Sequence, residues 1–411
     1  MISITNPRGA ARQTRCEDLF MSKLIFLDNG ATSFPKPEEV YTYMDHFFRN
    51  YGVNPGRSGY DLCMEAGLIV EDTRKMLTEF FIGTDPNRLC FSYNSTDALN
   101  LIISGMLRPG DHAISTTIEH NSVLRPLHHL QLQGVDVDLV PFGAAGFVDP
   151  DGVRARFRTN TRLVIVNHAS NVIGTVQPVS EIGRLCREAG IPFAIDISQS
   201  AGKVAVDMEK QFLDVVAFTG HKSLLGPTGI GGLYVREGVE VRHSRAGGTG
   251  VRSAVKTHLD EYPYRLEYGT PNVMGIAGLH AGVKWILGRG LETVHHQEMR
   301  LLRMLRDGLR DIPGVTLYCQ DDLTDHIAVL AFNLEGMDAA DVGTMLDVDY
   351  GIACRTGLHC APLVHEQMGT DKIHGAVRFG IGPFNTEEHI LTAVRAVGEI
   401  AALRKGRKKT A

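Results

Sequence analysis

The sequence predicts an α/β protein: a mainly parallel, seven-stranded sheet flanked by helices, followed by a smaller α+β C-terminal domain. Three observations carry that prediction. From residue 88 onward, short apolar runs alternate with helix-length stretches, the pattern of repeated βαβ units. Four of the runs are continuously apolar or β-branched rather than alternating, as expected of strands covered on both faces. After about residue 265 the alternation gives way to helices and a few further strands.

The elements follow in order. Residues 1–22 have little apolar periodicity and read as a disordered extension, and folded sequence starts at Leu24-Ile25-Phe26-Leu27. Past Pro35-Lys36-Pro37, a helix places Val40, Tyr43, Met44, Phe47 and Phe48 on one face. A glycine-rich loop over 52–59 precedes a helix over 61–82. Candidate strands are Arg88–Tyr93, His112–Thr117, Val135–Phe142, Leu163–Asn167, Phe193–Ile197, Asp214–Phe218 and Gly232–Val235. The smaller domain opens on one long helix, 274–310, and closes on a helix capped at Asn385, with Glu388 three residues on. The expected division is 23–265 for the large domain, 266–404 for the small one, and 405–411 for a solvated basic tail.

Composition excludes several functions. With 411 residues, 43% hydrophobic, full cores need no staples. Forty-two basic and 47 acidic residues leave a formal charge of -5, which argues against a nucleic-acid binder held by a basic face. No apolar run is long enough to span a membrane, and no secretory leader is visible. The seven cysteines, at 16, 63, 90, 186, 319, 354 and 360, show neither CxxC pairs nor metal-ligand spacing. No metal site is expected, and the compartment expected is the reducing cytoplasm.

In parallel sheets, ligands sit beyond the carboxyl ends of the strands. Thr219-Gly220-His221-Lys222 puts a lysine at one such end, and Phe193-Ala194-Ile195-Asp196 puts a carboxylate at another. A charge in the second position is costly unless partnered. Asn94-Ser95-Thr96 follows a strand and opens a helix, where hydroxyls and free N–H groups suit a phosphate dianion. Lysine, carboxylate and helix-start phosphate site are together what pyridoxal 5'-phosphate needs. The lysine forms a Schiff base, and the carboxylate keeps the pyridine nitrogen protonated. His120 follows another strand and is placed to stack on a planar ring.

These segments resemble the class V aminotransferase branch of fold-type I pyridoxal-phosphate enzymes, and within it the cysteine desulfurases and selenocysteine lyases. The resemblance runs from residue 24 almost to the end. It includes Leu27-Asp28-Asn29-Gly30-Ala31-Thr32, Thr117-Ile118-Glu119-His120-Asn121-Ser122, Asn171-Val172-Ile173-Gly174 and Asp196-Ile197-Ser198-Gln199-Ser200. Its longest motif is Thr219-Gly220-His221-Lys222 followed by Gly226-Pro227-Thr228-Gly229-Ile230-Gly231. It implies that Asn171 lies near the cofactor oxygen and that Gln199 donates to the phenolate oxygen. Ser95, Thr96, Thr219 and His221 join the cofactor set. Thr270, in Tyr268-Gly269-Thr270-Pro271-Asn272, reaches the neighbouring subunit's phosphate and makes a homodimer with composite sites. Arg378 clamps the substrate carboxylate, a task a bidentate guanidinium performs better than lysine.

The segment Arg355-Thr356-Gly357-Leu358-His359-Cys360-Ala361-Pro362 resembles the persulfide-forming loop of the second group of cysteine desulfurases. Arg355 and His359 are close in sequence, and cations there favour the thiolate nucleophile. Only 18 residues separate Cys360 from Arg378, so the loop is short and the cysteine is expected near the cofactor. Cys354 reads as packing. Gly56 and Tyr60 stand where the family has histidines, which bears on the substrate-side proton relay; Arg57 between them remains an anion contact.

The activity implied is removal of sulfur from L-cysteine to give L-alanine and a persulfide on Cys360. A sulfur-acceptor protein, commonly in iron–sulfur cluster assembly, takes the persulfide sulfur. A selenocysteine lyase would use the same site. A class V aminotransferase would keep Lys222 and Asp196 without needing Cys360. A catalytically silent member of a sulfur-transfer assembly would need neither cofactor nor Lys222.

Overall fold

The computed structural model describes residues 24–56, 59–318 and 320–407, with side chains to 403. The extension expected over 1–22, the residue Arg57 and the basic tail lie outside the described residues or their side chains. The chain enters through β1 (Ile25–Phe26), α1 (Glu38–Tyr51) and α2 (Asp61–Phe80). The large sheet follows with β2 (Leu89–Ser92), α3 (Ser95–Met106), β3 (His112–Thr116), α4 (Asn121–Gln131) and β4 (Asp136–Val140). Next come α5 (Pro150–Arg154), β5 (Thr161–Asn167), α6 (Val179–Ala189), β6 (Phe193–Asp196), β7 (Val215–Thr219) and β8 (Gly231–Val235). The remainder runs α7 (Val273–Arg289), α8 (Leu291–Arg310), β9 (Val315–Tyr318), β10 (Val329–Leu334) and α9 (Ala339–Tyr350). It ends with β11 (Ile352–Ala353), β12 (Arg355–Gly357), α10 (Pro362–Met368), β13 (Ala376–Gly380) and α11 (Glu387–Arg407).

All seven strands expected from the sequence form, to within two residues at each end, as one sheet of order β2-β8-β7-β6-β5-β3-β4. Alternate residues supply its two faces. Ile114, Val164, Val166, Ile195 and Phe218 pack under α1, α2, α6 and α7, while Ala113, Leu163, Ile165, Ala194 and Ala217 pack under α3 and α4. Only β8 runs antiparallel to its neighbours, β2 and β7. Antiparallel partners need no helical crossover. The β7–β8 connection, Gly220–Ile230, is therefore a helix-free loop beyond the carboxyl end of β7, and it carries Lys222.

A second core gathers Leu27, α8, α9 and α11 around the four-stranded antiparallel sheet β12-β13-β10-β9. The first strand belongs to this neighbourhood, because β1 pairs in parallel with β11. Past that pairing Asp28 bridges to Gly380 at the end of β13, and the chain then reaches the β7–β8 loop, where Ser33 N donates to His221 O.

Two expectations are corrected. The helix expected over 274–310 is two helices, broken at Gly290, whose φ of +82° is one that L side chains rarely adopt. Asn385 does not cap the closing helix. Thr386 does, its hydroxyl accepting from His389 N at 3.3 Å, while the Asn385 side chain donates to Phe26 O and accepts from Gly382 N. Of the face expected on α1, Val40 and Phe47 are buried and Phe48 is exposed. No described helix is long and apolar enough to cross a membrane.

Candidate active site

The carboxyl ends of β5, β6 and β7, the starts of α3 and α4, and β12 surround a cavity of about 270 Å³. Strand-end geometry brings Asp196, Thr219, His221 and Lys222 to it from the sheet, and the helix starts bring Ser95, Thr96 and His120. Asn171, Gln199 and Arg355 complete the sequence-expected residues on its wall.

Each is held by identifiable partners. Asp196 Oδ1 accepts from Ser198 N at 2.9 Å, from the Ser198 hydroxyl, and from Ser95 Oγ at 3.2 Å. Asn94 caps α3 by accepting from Asp97 N, and Thr96 Oγ1 meets Ser122 Oγ at 2.7 Å. His120 caps α4: its Nδ1 accepts from Ser122 N at 3.1 Å, which leaves the ring proton on Nε2. Burial, helped by the Lys222 cation, lowers the His120 pKa to about 4, so the ring is neutral near pH 7. Burial also lowers Lys222 to about 8; Asp196 opposes the shift, while Arg378 and Arg355 add to it. Far more free amine is thereby present near neutral pH than an ordinary lysine offers, and that is the form that attacks a carbonyl carbon.

Three buried polar atoms on this wall have no partner among the described residues: Asn171 Oδ1, Thr219 Oγ1 and His221 Nδ1. Buried polar groups are seldom left so. Together with free N–H groups at the start of α3, they suit a planar polar ligand carrying an anionic group.

Cys360 lies beside this cavity. Arg355 Nη2 donates to its Sγ at 2.8 Å. The loop is in left-handed backbone at both His359 (φ +51°) and Cys360 (φ +58°), a conformation that persists in non-glycine residues only when its surroundings fix it. Asn121 N donates to Cys360 O at 2.8 Å, and Asn171 Nδ2 donates to His359 O at 2.7 Å. The expectation that His359 supplies positive charge is corrected. Its ring is 2% exposed, burial first and Arg378 second push its pKa down to about 2, and its Nδ1 meets His365 Nε2 at 3.1 Å. Arg355 is the cation on the sulfur. Cys354 packs against the second core, and burial raises its thiol pKa to about 12.

Arg378 sits one layer behind the wall, 0% exposed, donating from Nη2 to Asp28 Oδ1 at 2.7 Å and from Nη1 to Asn171 O at 3.0 Å. Gly30 separates it from the cavity. A Cβ there would stand 3.0 Å from the guanidinium carbon, tighter than ordinary contact, so glycine keeps the approach uncrowded. Thr270 is not brought to this cavity. It lines a different one of about 350 Å³ with Gly56, Met64, Tyr93 and Tyr268. Neither Gly56 nor Tyr60 borders the Lys222 cavity.

Sequence reasoning gave no role to Glu119, fully buried behind the site, although its place beside His120 offered a signal. It likewise missed Asp28 as the partner of Arg378, and Ser198 as a donor to Asp196.

The sequence profile of the family described as Aminotransferase class-V matches residues 25–392. The chain belongs to the class V aminotransferase family, in its cysteine desulfurase branch. A probable cysteine desulfurase of Methanothermobacter thermautotrophicus is 33% identical over 384 residues, 92% of this chain and 95% of that protein. A cysteine desulfurase of Salmonella agona is 32% identical over 390 residues, covering 92% and 94% of the two chains. Among solved structures, an apo cysteine desulfurase from Thermococcus onnurineus superposes with a TM-score of 0.86 at 32% identity, over 98% of this chain and all of that one. One from Escherichia coli gives 0.83 at 27% identity, also covering 98% and 100%. Class V aminotransferase-family enzymes are generally dependent on pyridoxal phosphate.

Proposed function

We propose that this protein is a cysteine desulfurase that binds pyridoxal phosphate in the cavity around Lys222. The observation that carries the proposal is Cys360, held by Arg355 beside the cavity that also contains Lys222 and Asp196. A transaminase has no use for a thiol held by an arginine at that place. The unpartnered atoms of Asn171, Thr219 and His221 fit the cofactor's polar edge and phosphate. Ser95, Thr96 and the α3 N–H groups would hold the phosphate, Asp196 the ring nitrogen, and neutral His120 the ring face. When bound, pyridoxal phosphate supplies an aldehyde for amines to condense with and a ring that accepts electron density from Cα.

The protein's own groups do the rest. Arg378 attracts the substrate carboxylate toward Gly30 and Asn171. Lys222 would take the Cα proton and return it to Cα before alanine leaves, and its lowered pKa suits a base near neutrality. The Cys360 thiolate attacks the substrate sulfur. The Cβ–S bond breaks with its electrons left on carbon, the carbon takes up a proton, and alanine leaves while the sulfur stays as a Cys360 persulfide.

Thr270, in the second cavity amid exposed Met64, Leu68 and Tyr93, supports a homodimer in which it serves the neighbouring site. A division into domains near residue 265 and a cytoplasmic location, where a thiol nucleophile stays reduced, belong to the same proposal. A protein then accepts the persulfide sulfur. The test is alanine release from L-cysteine plus reductant by wild type and Cys360→Ala, with selenocysteine as control. Alanine from wild type and none from the variant supports the proposal. Alanine only from selenocysteine, surviving the substitution, indicates a lyase. None from either substrate overturns both readings.

A further inference from the structure

Lys36 belongs to no motif that the site uses, yet it is a half-buried cation at the back of the Lys222 loop. Its Nζ donates to His221 O and to Ser33 Oγ, both at 2.6 Å. Two neighbours converge on the same peptide. Thr32 Oγ1 donates to His221 O at 3.0 Å, Ser33 N donates to it at 3.1 Å, and Ser33 Oγ donates to Lys222 O at 2.8 Å. A carbonyl has two lone pairs, and His221 O here receives three strong donors, one of them charged. Burial lowers the Lys36 pKa to about 8, and among the described residues its ammonium meets backbone and hydroxyl oxygens rather than a carboxylate.

The same segment also touches other parts of the site. Asp28 pairs with Arg378, and Gly30 O accepts from Gln199 Nε2 at 2.9 Å. Residues 28–36 therefore form a brace running from the carboxylate clamp to the lysine loop. The loop needs one, since Gly220–Ile230 contains no helix or strand of its own.

We propose that Lys36, with Thr32 and Ser33, is a positioning residue that fixes the His221–Lys222 peptide and thereby aims the Lys222 amine into the cavity. The role rests on the reading of Lys222 as the cofactor lysine. It differs from a purely structural one because it predicts changes in how Lys222 is presented, separate from changes in melting temperature.

The experiment uses holoenzyme of wild type, Lys36→Met, Lys36→Arg and Thr32→Val. Two quantities are measured: the rate at which hydroxylamine strips the bound cofactor, and kcat and KM for alanine release from L-cysteine. Lys36→Met is expected to raise the stripping rate at least fivefold and to lower kcat about tenfold with KM within twofold. Lys36→Arg, which keeps charged donors, is expected to recover most of both. Thr32→Val removes one donor to the same oxygen with little change of shape, and a smaller change of the same sign is expected. If Lys36→Met does not fold, Thr32→Val decides alone. Unchanged stripping rate and kcat in the folded variants, whether or not melting temperature falls, overturn the proposal. A wild type that carries no cofactor overturns the reading of Lys222 itself, a result distinguishable because it appears before any substitution is made.

Discussion

Glu119→Gln is expected to stabilise this protein near pH 7, and the amount must depend on pH. Glu119 is fully buried between β3 and the His120 cap. Its Oε1 accepts from Thr116 Oγ1 at 2.6 Å and from Asn167 N at 2.9 Å, while Oε2 has no partner among the described residues. Burial raises its pKa from the ordinary 4.5 to about 8, against the two hydrogen bonds and aided by Asp196. The folded state therefore keeps a proton that the unfolded chain releases above pH 4.5. Its contribution to stability is full below that pH and is lost as pH rises toward 8, at about 1.4 kcal/mol per pH unit. At pH 7 the loss is about 3 kcal/mol, and at pH 5 less than about 1. Glutamine keeps the Oε1 acceptor and the shape but has no proton to lose. Urea unfolding of holoenzyme at pH 5, 6 and 7 should show wild type and variant nearly equal at pH 5 and diverging steadily above it. A constant difference across the three pH values, or a variant less stable at pH 7, would refute the reasoning.

The remaining predictions concern a buried pair, acid stability and the substrate approach. Lys203→Met should destabilise by about 3–5 kcal/mol in chemical unfolding, because it leaves Glu298, 2.8 Å away and 2% exposed, without its cation. His168, His326 and His359 are nearly inaccessible, and burial lowers their pKa values to about 4, 4 and 2. Their folded values are depressed, so the stability they allow is full above pH 6.5 and is lost as pH falls. At pH 5 each costs about 2 kcal/mol, and urea midpoints that do not fall between pH 7 and 5 would contradict this. Gly30→Ala puts a methyl 3.0 Å from the Arg378 guanidinium. It should raise KM for L-cysteine about tenfold, or about 1.4 kcal/mol, with cofactor absorbance unchanged.

Much of the site was legible because strand ends are local. A buried strand announces itself by an apolar run, and the residue after it is then known to lie at the ligand edge; this placed Asp196, Thr219 and Lys222 without any long-range information. The start of α3 at Asn94 was readable for the same reason, whereas the cap that His120 makes on α4 was not read from the sequence. The break at Gly290 was missed although Gly288 and Gly290 mark it in the sequence, and the reversal of β8 because strand direction leaves no trace in composition.

What the sequence by itself determined is the set of elements and which side chains stand at their ends, since periodicity and caps act over a few residues. The tertiary structure decided protonation and partnership, since both depend on groups far apart in the chain. Asp28 lies 350 positions from the arginine it pairs with, and Lys36 lies 185 from the carbonyl it grips. His359 reads as a cation beside a thiol until burial against His365 makes it neutral, and Glu119 reads as a carboxylate until burial gives it back its proton. Desolvation is a property of the assembled interior, and no stretch of sequence carries it alone.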